Sequence, residues 1–425
     1  MLYDRWREVA RERRSERALC DVPAGRTWTF GELLAESDRA PCPAGPVVFP
    51  RGSGAGFVQA VLAGWRHGCC VCPIEAGHQP PDLPAPPAWA AHLKATSATT
   101  GAARWVAFRA AQLAADPAHI VATMGLRPEW PNLGAISLAH SYGFSNLILP
   151  LLLHGIPLIL AGSGLPEAVR QAAQEAAHLT LAGVPALWQV WHETGAIPKT
   201  VRLAISAGAP LSLEIEHAVH TRHGLKLHNF YGSTECGGIA YDRSEAPRSD
   251  PRVVGSAMTG VSLTGGRDGC LRVRGPNAGE TYWPDPDPAL ERGTFQTGDL
   301  VAFQQAEILL LGRAGDLINV AGRKVAPATV ERVLRAHPAV TDCLVLGLPA
   351  AQAGRGESIL AIVAAKSVTT VELIAFLRAR LPGWQLPKDW WLVPSIPADA
   401  RGKVSRVEWR RRFLARLESP MPRTA

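Results

Sequence analysis

Apolar runs alternate with segments of helical periodicity over roughly the first half of the chain. The stretch "GFVQAVLAGWRHG" has its apolar residues at helical spacing, and the next run, "CCVCPIE", is continuously apolar, as is typical of a buried strand. The same order recurs in "EAVRQAAQEAAHL", which predicts an amphipathic helix, and "LTLAGVP", which predicts a strand. "LGAISLAH" is predicted to be a further strand. Strands that alternate with helices predict an α/β fold with layered, largely parallel sheets.

The pattern changes near residue 250, where glycine and proline become dense and the apolar segments shorten. The segments "GCLRVRGP", "GTFQTGDLVAF" and "EILLLGR" predict hairpin strands, and therefore a β-rich subdomain. Beyond them, a smaller unit again mixes strands with helices. We predict a large N-terminal domain over 1–312 and a small α+β C-terminal domain over 313–425.

Composition and charge are compatible with a folded protein that binds an anion. The 425 residues exceed one ordinary core, and a chain with 47% hydrophobic and 19% charged residues is expected to fold. The net charge of +7 permits anionic partners, but the arginines are scattered rather than clustered with aromatic residues. Nucleic acid is therefore not expected, whereas a phosphate-bearing substrate fits.

The sequence predicts a cytoplasmic location. The N-terminal segment alternates charges without an apolar core, so no signal peptide is expected. The most apolar stretch, 144–162, is interrupted by Pro150 and Pro157, which favours a buried helix and strand over a membrane span. The eight cysteines lack a zinc-like spacing, which predicts buried free thiols in a reducing compartment.

The first candidate for chemistry is "KATSATTGAAR", residues 94–104. Consecutive backbone N–H groups in such a glycine-and-hydroxyl turn form an anion-binding concavity, and Ser97, Thr99 and Thr100 add side-chain donors. Arg104 supplies a charge that suits phosphate. The segment is not a Walker A motif, and taken alone it is also typical of an ordinary polar turn.

Two further segments carry an aromatic residue, hydroxyl groups and carboxylates. In "NFYGSTECGG", Tyr231 suits a purine, Thr234 suits a phosphate and Glu235 suits Mg²⁺; a strand end with a capped turn is the alternative. In "FQTGDL", an aspartate on a tight turn, Asp299, suits the two hydroxyls of a ribose. An aspartate of a β-turn that binds no ligand is the alternative there.

Two basic segments lie near the C-terminus. The first, "LGRAGDLINVAGRKVAPATVE", has a basic residue before a flexible joint, then a glycine turn with two more cations, then a helix that begins at Pro327. The second, "ADARGKVSR", exposes Lys403 on a glycine loop before the last helix. A solvated lysine is the alternative interpretation of the second segment.

Together, and in this order, the five segments resemble the motifs of the adenylate-forming superfamily. This superfamily includes acyl-CoA and aryl-CoA synthetases, acyl-AMP ligases and peptide-synthetase adenylation domains, and the resemblance runs from about residue 28 to about residue 412. It implies a small mobile C-terminal domain, with the active site between the two domains. It also implies a two-step reaction, in which a carboxylate attacks the α-phosphate of ATP and a thiol then attacks the acyl-AMP.

The resemblance implies a role for each matching residue. The β- and γ-phosphates would be held by Ser97, Thr99, Thr100 and Gly101, with Arg104 in the place of the loop's usual lysine. The rest of the nucleotide would be bound by Gly208, Tyr231, Gly232, Thr234, Asp299 and Arg313. Glu235 would bind Mg²⁺, and Lys403 would bridge the carboxylate and the α-phosphate in the first step.

The acyl group and the thiol donor are also assigned by this resemblance. The acyl pocket would include His140, Cys236 and Gly237, although a hydrogen-bonded core histidine is the alternative for His140. Gly315 matches the hinge, about which the C-terminal domain would rotate. After rotation, the thiol donor would face Gly322, Arg323 and Lys324. That donor is expected to be CoA, or alternatively the phosphopantetheine arm of an acyl carrier protein.

The chain departs from the family pattern in its phosphate loop. Ala98, Ala103 and Arg104 stand where the family has Gly, Pro and Lys. The substitutions leave three interpretations open: a CoA ligase for an aryl or short-to-medium acyl acid, a ligase that loads a carrier protein, and a non-catalytic adenylate-binding protein. The first is the leading hypothesis.

Overall fold

The computed structural model describes residues 2–96, 104–291, 293–320, 322–349, 356–397 and 404–418. In chain order the helices are α1 (Leu2–Glu12), α2 (Phe30–Asp38), α3 (Ala55–Arg66), α4 (Ala110–Met124), α5 (Ser141–Gly143), α6 (Leu149–His154), α7 (Pro166–Ala172), α8 (Pro185–Glu193), α9 (Leu213–His223), α10 (Pro327–Arg335), α11 (Thr370–Arg378) and α12 (Arg406–Glu418). A π-helical segment, Phe144–Ile148, joins α5 to α6.

The strands follow the same order. They are β1 (Arg17–Asp21), β2 (Arg26–Thr29), β3 (Val47–Val48), β4 (Cys70–Val71), β5 (His92–Ala95), β6 (Trp105–Phe108), β7 (Asn132–Gly134), β8 (Leu158–Leu160), β9 (Leu179–Gly183), β10 (Val201–Ala207), β11 (Leu227–Ser233), β12 (Gly237–Tyr241), β13 (Val253–Ala257), β14 (Ser262–Gly265), β15 (Cys270–Arg274), β16 (Thr281–Trp283), β17 (Leu290–Glu291), β18 (Thr294–Gln304), β19 (Glu307–Arg313), β20 (Ile318–Val320), β21 (Arg323–Val325), β22 (Val340–Pro349), β23 (Glu357–Ala365) and β24 (Asp389–Val393).

The largest sheet joins a parallel part to an antiparallel part. Its strand order is β14-β15-β18-β19-β13-β12-β11-β10-β9-β7-β8-β1-β2, with β17 paired to β18. The pairs β11/β10, β10/β9, β9/β7, β7/β8 and β8/β1 are parallel. From β12 to β19 the pairing is antiparallel. This layered α/β arrangement, with a β-rich continuation, is the predicted fold class.

A second sheet brings distant segments of the chain together. Its order is β16-β6-β5-β4-β3. β5 ends two residues before Ser97, and β6 begins directly after Arg104, so the two strands support both ends of the predicted phosphate loop. β16 pairs antiparallel with β6, with Tyr282 opposite Val106. This register places a segment from the 280s beside the loop.

The segments after β19 form smaller units. β20 and β21 make a hairpin, and β22, β23 and β24 make a three-stranded sheet. The buried apolar side chains between Ile318 and Phe413 form two clusters that contain no residue from earlier in the chain. Helix α10 begins at Pro327, as predicted. The domain boundary between residues 312 and 313 stays a prediction.

Four local predictions outside the candidate site are wrong in part. "CCVCPIE" is a strand only over Cys70–Val71. "LGAISLAH" is a strand only over Asn132–Gly134, because the chain must leave the sheet to begin α5 at Ser141. The helix over "EAVRQAAQEAAHL" ends at Ala172 and tightens into a single 3₁₀ turn, because β9 begins at Leu179. Six of the eight free cysteines are buried, but Cys42 is exposed and Cys69 is half-buried.

Within the described residues, no helix combines the length and apolar character of a membrane span.

A buried ionic cluster fastens α9 to the strands on which the site is built. Glu216 is fully buried, and its Oε2 accepts from Arg248 Nε at 2.8 Å while its Oε1 accepts from the Arg248 backbone N–H at 2.9 Å. Lys226 Nζ contacts Glu216 and lies 2.8 Å from Asp242 Oδ2. Arg248 Nη2 also donates to the carbonyl of Leu211 at 2.9 Å, three residues after Gly208.

Removing one member of this cluster should destabilise the fold strongly. We expect Glu216→Ala to lower the free energy of unfolding by about 3–5 kcal/mol, because it leaves buried cations without their carboxylate. Glu214 is exposed on the same helix, so Glu214→Ala should change it by less than about 0.5 kcal/mol. Urea denaturation of the two variants makes the comparison, and equal effects would contradict a structural role for the cluster.

Candidate active site

The predicted adenine-binding residues lie at the ends of neighbouring parallel strands. Gly208 follows β10, with a φ of +88° that glycine adopts without strain, and Tyr231 lies near the end of β11. The register pairs Ala207 with Phe230, so the two strands end at the same edge of the sheet. Loops at the carboxyl ends of parallel strands are where α/β sheets usually bind ligands.

Asp299 is held by two donors. Its Oδ2 accepts from the Tyr231 hydroxyl at 2.6 Å, and its Oδ1 accepts from Arg313 Nε at 2.8 Å. Asp299 lies within the long strand β18, paired with Arg313 on β19, and not on the predicted tight turn, because the β18–β19 ladder continues through it. A carboxylate has about four lone-pair sites, so two stay available for a ribose.

The Tyr231 hydroxyl keeps its proton in this environment. Burial raises its pKa well above the usual value, and the negative charge of Asp299 raises the pKa further. The phenol therefore acts as a permanent donor to Asp299, and its ring is fixed at the edge of the sheet. A ring held in one orientation suits stacking against a planar base.

Thr234 and Glu235 lie in the turn between β11 and β12. Both are half-buried, and Glu235 Oε1 accepts from the Tyr282 hydroxyl at 2.9 Å. Glycine is also required at position 232, near the end of β11, since a Cβ there would lie 2.6 Å from the carbonyl oxygen of Gly237. The β11–β12 pairing is irregular between Tyr231 and Gly232, as at a β-bulge.

The donor set of this turn fits Mg²⁺. Across the described parts of the chain, no three His, Cys, Asp or Glu residues are grouped so that they could hold a metal by themselves. Mg²⁺ beside phosphates commonly takes one or two carboxylates and completes its shell with water and phosphate oxygens. Glu235 is such a carboxylate, so the residues present suit a cation that arrives with a nucleotide.

The ends of the predicted phosphate loop are tied together. The Thr96 N–H donates to the Arg104 carbonyl at 2.8 Å, and the Arg104 N–H donates to Thr96 Oγ1 at 3.0 Å. The Arg104 guanidinium lies over the Tyr282 ring, with Cζ 3.5 Å from the ring centroid, and Nη2 lies 2.9 Å from Asp287 Oδ2. The loop residues in between lie outside the described residues, namely Ser97, Ala98, Thr99, Thr100, Gly101 and Ala103.

His140 is not a core residue. Its side chain is about one-third exposed (37%) at the residue before α5, and Nε2 lies 2.9 Å from Glu75 Oε1. The same Glu75 oxygen accepts from Ser137 Oγ at 2.7 Å. The hydrogen bond from His140 lowers the pKa of Glu75, so the carboxylate stays charged beside the histidine. This arrangement argues against the core interpretation of His140, and its place in the acyl pocket stays a prediction.

Cys236 and Gly237 lie deeper. Cys236 is fully buried, and burial raises the pKa of its thiol, which disfavours a thiolate nucleophile there; its place in the acyl pocket stays a prediction. Gly237 has a φ of +60°, and a Cβ there would lie 2.1 Å from the Asp116 carboxylate. The β12 end of the turn is therefore packed directly on the Asp116 side chain.

Sequence reasoning missed the buried polar cluster under this turn. Asp116 accepts from the Gly238 N–H at 3.1 Å and from Ser145 Oγ at 2.5 Å. Lys94 Nζ donates to Ser145 Oγ at 2.9 Å and lies 3.7 Å from Asp116 Oδ2. Both charged residues interrupt otherwise apolar segments, and that interruption was the available signal.

The predicted C-terminal residues lie in two separate segments, a 3₁₀ turn and the β20–β21 hairpin. Gly315 occupies a 3₁₀ turn where a Cβ would meet nothing within 4 Å. Gly322 has a φ of +84°, Arg323 lies over the Trp384 ring, and Lys324 is exposed. Lys403 lies outside the described residues. The structure thus brings together Tyr231, Asp299 and Arg313, and it links Arg104 to Glu235 through Tyr282, while the roles of all these residues stay predictions.

The glycine at position 237 gives a direct test of the packing. Gly237→Ala should lower the melting temperature by several degrees, because a left-handed alanine costs roughly 1–2 kcal/mol and the methyl group also meets Asp116. Gly315→Ala is the matched control, since that position has free space and no positive φ. Thermal unfolding of both variants checks this; a control that is as unstable as Gly237→Ala would contradict it.

Comparison with known proteins identifies the family. A family model described as AMP-binding enzyme matches residues 76–283, and the model of the AMP-binding enzyme C-terminal domain matches residues 329–403. Feruloyl-CoA synthase of an Amycolatopsis species is 29% identical over 360 residues, which is 80% of this chain and 73% of that protein. The 2,3-dihydroxybenzoate-AMP ligase of Bacillus subtilis is 28% identical over 308 residues, 67% of this chain and 57% of that enzyme.

Solved structures have the same fold. ATP-bound MatB from Rhodopseudomonas palustris superposes with a TM-score of 0.83 at 20% identity, over 97% of this chain and 99% of that one. The o-succinylbenzoate CoA synthetase of Bacillus subtilis, in complex with its acyl-adenylate intermediate, superposes with a TM-score of 0.81 at 21% identity, over 96% and 97% of the two chains. The two family models together span about two thirds of the sequence, and the chain belongs to the family of AMP-binding enzymes, as its motifs predicted.

Proposed function

We propose that this protein is an AMP-forming acid–thiol ligase that makes a CoA thioester. The predicted reaction class is confirmed by the family match and by the CoA synthases and CoA ligases among the similar proteins. The observation that carries the proposal is the convergence of Tyr231, Asp299 and Arg313 at the carboxyl edge of the parallel strands. These three residues supply a fixed aromatic ring, a carboxylate and a cation, which a ribonucleotide requires.

The reaction has two steps, an adenylation of the acid and a transfer of the acyl group to a thiol. A carboxylate oxygen of the acid attacks the α-phosphorus of ATP, the bond to the β-phosphate breaks, and pyrophosphate leaves. The thiol sulfur then attacks the acyl carbonyl carbon, and AMP leaves. Both steps depend on positioning and on neutralising negative charge. In this chain Thr234, Arg104 and Lys403 would provide the donors and cations.

Glu235 would hold Mg²⁺ on the nucleotide. When bound, the cation neutralises phosphate charge and stabilises the leaving pyrophosphate. Glu235 presents a half-buried carboxylate whose Oε1 is already fixed by Tyr282, so little reorganisation is needed to bind a cation. This is the mode of binding that a single protein carboxylate supports.

The acid is proposed to be an aryl or a short-to-medium acyl acid. Asp116 and Met258 already fill the space that side chains at Gly237 and Gly238 would need, so these glycines do not by themselves favour a particular acid. The relatives named for ferulate and 2,3-dihydroxybenzoate act on aryl acids, which favours that class. The cytoplasmic location stays a prediction.

The C-terminal domain over 313–425 is proposed to supply Lys403 for the first step and a different surface for the second. Rotation about Gly315 would bring Gly322, Arg323 and Lys324 to the thiol donor. The exposed Lys324 and the positive φ of Gly322 are compatible with a phosphate-bearing pantetheine chain passing close to the backbone. Such domain movements exclude water and complete the site.

The two half-reactions should depend differently on Lys403. We expect Lys403→Ala to lower acid-dependent ATP–pyrophosphate exchange by about 100-fold or more, since it removes a cation from the first transition state. Thioester formation from supplied acyl-AMP should change little. Lys366→Ala is the control, because Lys366 is an exposed lysine elsewhere in the same domain.

Two outcomes would contradict this scheme. An equal loss in both half-reactions would rule out the two-state domain mechanism. A wild-type protein that shows no exchange with any acid of a broad panel would rule out both ligase hypotheses and leave the non-catalytic adenylate-binding interpretation.

The acceptor is tested by direct competition. With ATP, Mg²⁺, an accepted acid and equal concentrations of CoA and a phosphopantetheinylated carrier protein, the acyl group should appear on CoA, as measured by mass spectrometry. If only the carrier protein were acylated, CoA would be wrong as the acceptor and the carrier-protein hypothesis would take its place. The proposed adenylation step would not be affected.

A further inference from the structure

One side chain, Tyr282, contacts two residues of the candidate site at once. Its hydroxyl donates to Glu235 Oε1 at 2.9 Å, and its ring lies under the guanidinium of Arg104. The β6–β16 register explains the second contact, because Tyr282 is opposite Val106 and Trp283 is opposite Trp105, the residue after Arg104. The ring therefore lies between the predicted metal ligand and the predicted phosphate-loop cation.

The orientation of Arg104 suits an anion. A guanidinium stacked on an aromatic ring keeps its N–H groups in the plane, where they can donate to oxygen atoms at the edge. Asp287 now accepts from that edge, with 2.9 Å between Nη2 and Oδ2. Both side chains are about two-fifths exposed (45% and 36%), so their ion pair is weak and a phosphate group can replace Asp287.

A cavity of about 410 Å³ opens at this point, and its volume leaves space for phosphate oxygens and water. Its lining residues are Arg104, Tyr282, Trp283, Asp285, Pro286 and Asp287.

The Tyr282–Glu235 hydrogen bond has a fixed direction. The phenol O–H is the donor and the carboxylate oxygen of Glu235 is the acceptor, with 2.9 Å between them. The bond occupies Oε1 of Glu235. Across the described residues, the structure records no side-chain partner for Oε2, which can therefore face a cation.

We propose that Tyr282 is a positioning residue for the magnesium complex of the nucleoside triphosphate: its hydroxyl aims Glu235 at the cation, and its ring aims Arg104 at the β- and γ-phosphates. One residue then sets the distance between the two groups that neutralise the pyrophosphate. The proposal rests on the proposed function, since it takes ATP as the nucleotide.

Equilibrium binding of ATP tests the hydroxyl without turnover. Isothermal titration of the full chain with ATP, in MgCl₂ and separately in EDTA, is done in the absence of any acid. We expect Tyr282→Phe to raise the Kd for ATP about tenfold in MgCl₂, because a hydrogen bond to a charged group is lost, and less than twofold in EDTA. Tyr3→Phe is the matched control. The Tyr3 hydroxyl also donates to a carboxylate at 2.9 Å, but its acceptor, Asp38, belongs to none of the segments of the candidate site.

The part assigned to Arg104, which stacks on this ring, is tested by two further variants. Arg104→Gln should raise the Kd in EDTA as well as in MgCl₂, since it removes a phosphate ligand and not a cation ligand. Asp287→Asn should lower the Kd in both, because it removes the anion that competes for Arg104. Thermal unfolding of each variant separates these effects from a loss of folded protein.

The outcomes distinguish this inference from the proposed function. A wild-type protein that binds ATP with Mg²⁺, and a Tyr282→Phe variant with the same Kd in MgCl₂ or with an equal loss in MgCl₂ and EDTA, would overturn the inference alone. A wild-type protein that does not bind ATP under either condition would overturn both.

Discussion

The parallel pairing of β10 with β11 is the constraint on which the candidate site depends. Because the pairing aligns Ala207 with Phe230, the loops that follow both strands must leave the sheet at one edge. Gly208 and Tyr231 are thereby neighbours, although they are separated in sequence by α9. The antiparallel strands beyond β12 then carry Asp299 back toward Tyr231, so the nucleotide-binding residues come from both kinds of sheet.

The turn between β11 and β12 packs against two buried side chains, Lys94 and Asp116. Lys94 and Asp116 are almost fully buried (4% and 2% exposed), and Asp116 accepts from the backbone of Gly238. Buried ion pairs are costly to desolvate, so their net contribution to stability is small. Their value here is positional, because the backbone of the turn is bonded to a rigid helix. Ser145, which bonds to both, extends the same support to the π-helical segment after His140.

The fold was more predictable from the sequence than the contacts of the site. Periodicity and glycine turns predicted the layered α/β class, β9 and the helix that begins at Pro327, since these depend on local pattern. The contacts of Asp299 depend instead on strand pairing. Its tight turn was predicted from "TGDL", whereas the structure continues β18 through it, because β19 supplies partners on the far side.

The contacts of Tyr282 were even less predictable from the sequence than those of Asp299. Nothing near it in sequence indicates chemistry, and its role depends on the register of β16 against a strand from the 100s. Lys94 and Asp116 could have been noticed as charges inside apolar segments, but their pairing is likewise a tertiary fact. The family resemblance assigned roles only to residues that lie within its motifs. Residues outside the motifs, such as Tyr282, are found only from their contacts in the structure.

At Gly315, the packing of the fold does not require glycine, whereas a rotation of the chain would use it. A side chain would fit there, since a Cβ meets nothing within 4 Å, and its φ is not in the left-handed region. The described conformation therefore does not require glycine, unlike the conformation at Gly237. What glycine changes at position 315 is the range of φ and ψ that the chain can reach. A residue that this structure does not need, at the junction after β19, is what a rotating joint would use, because absorbing a large backbone change there disturbs no packed side chain.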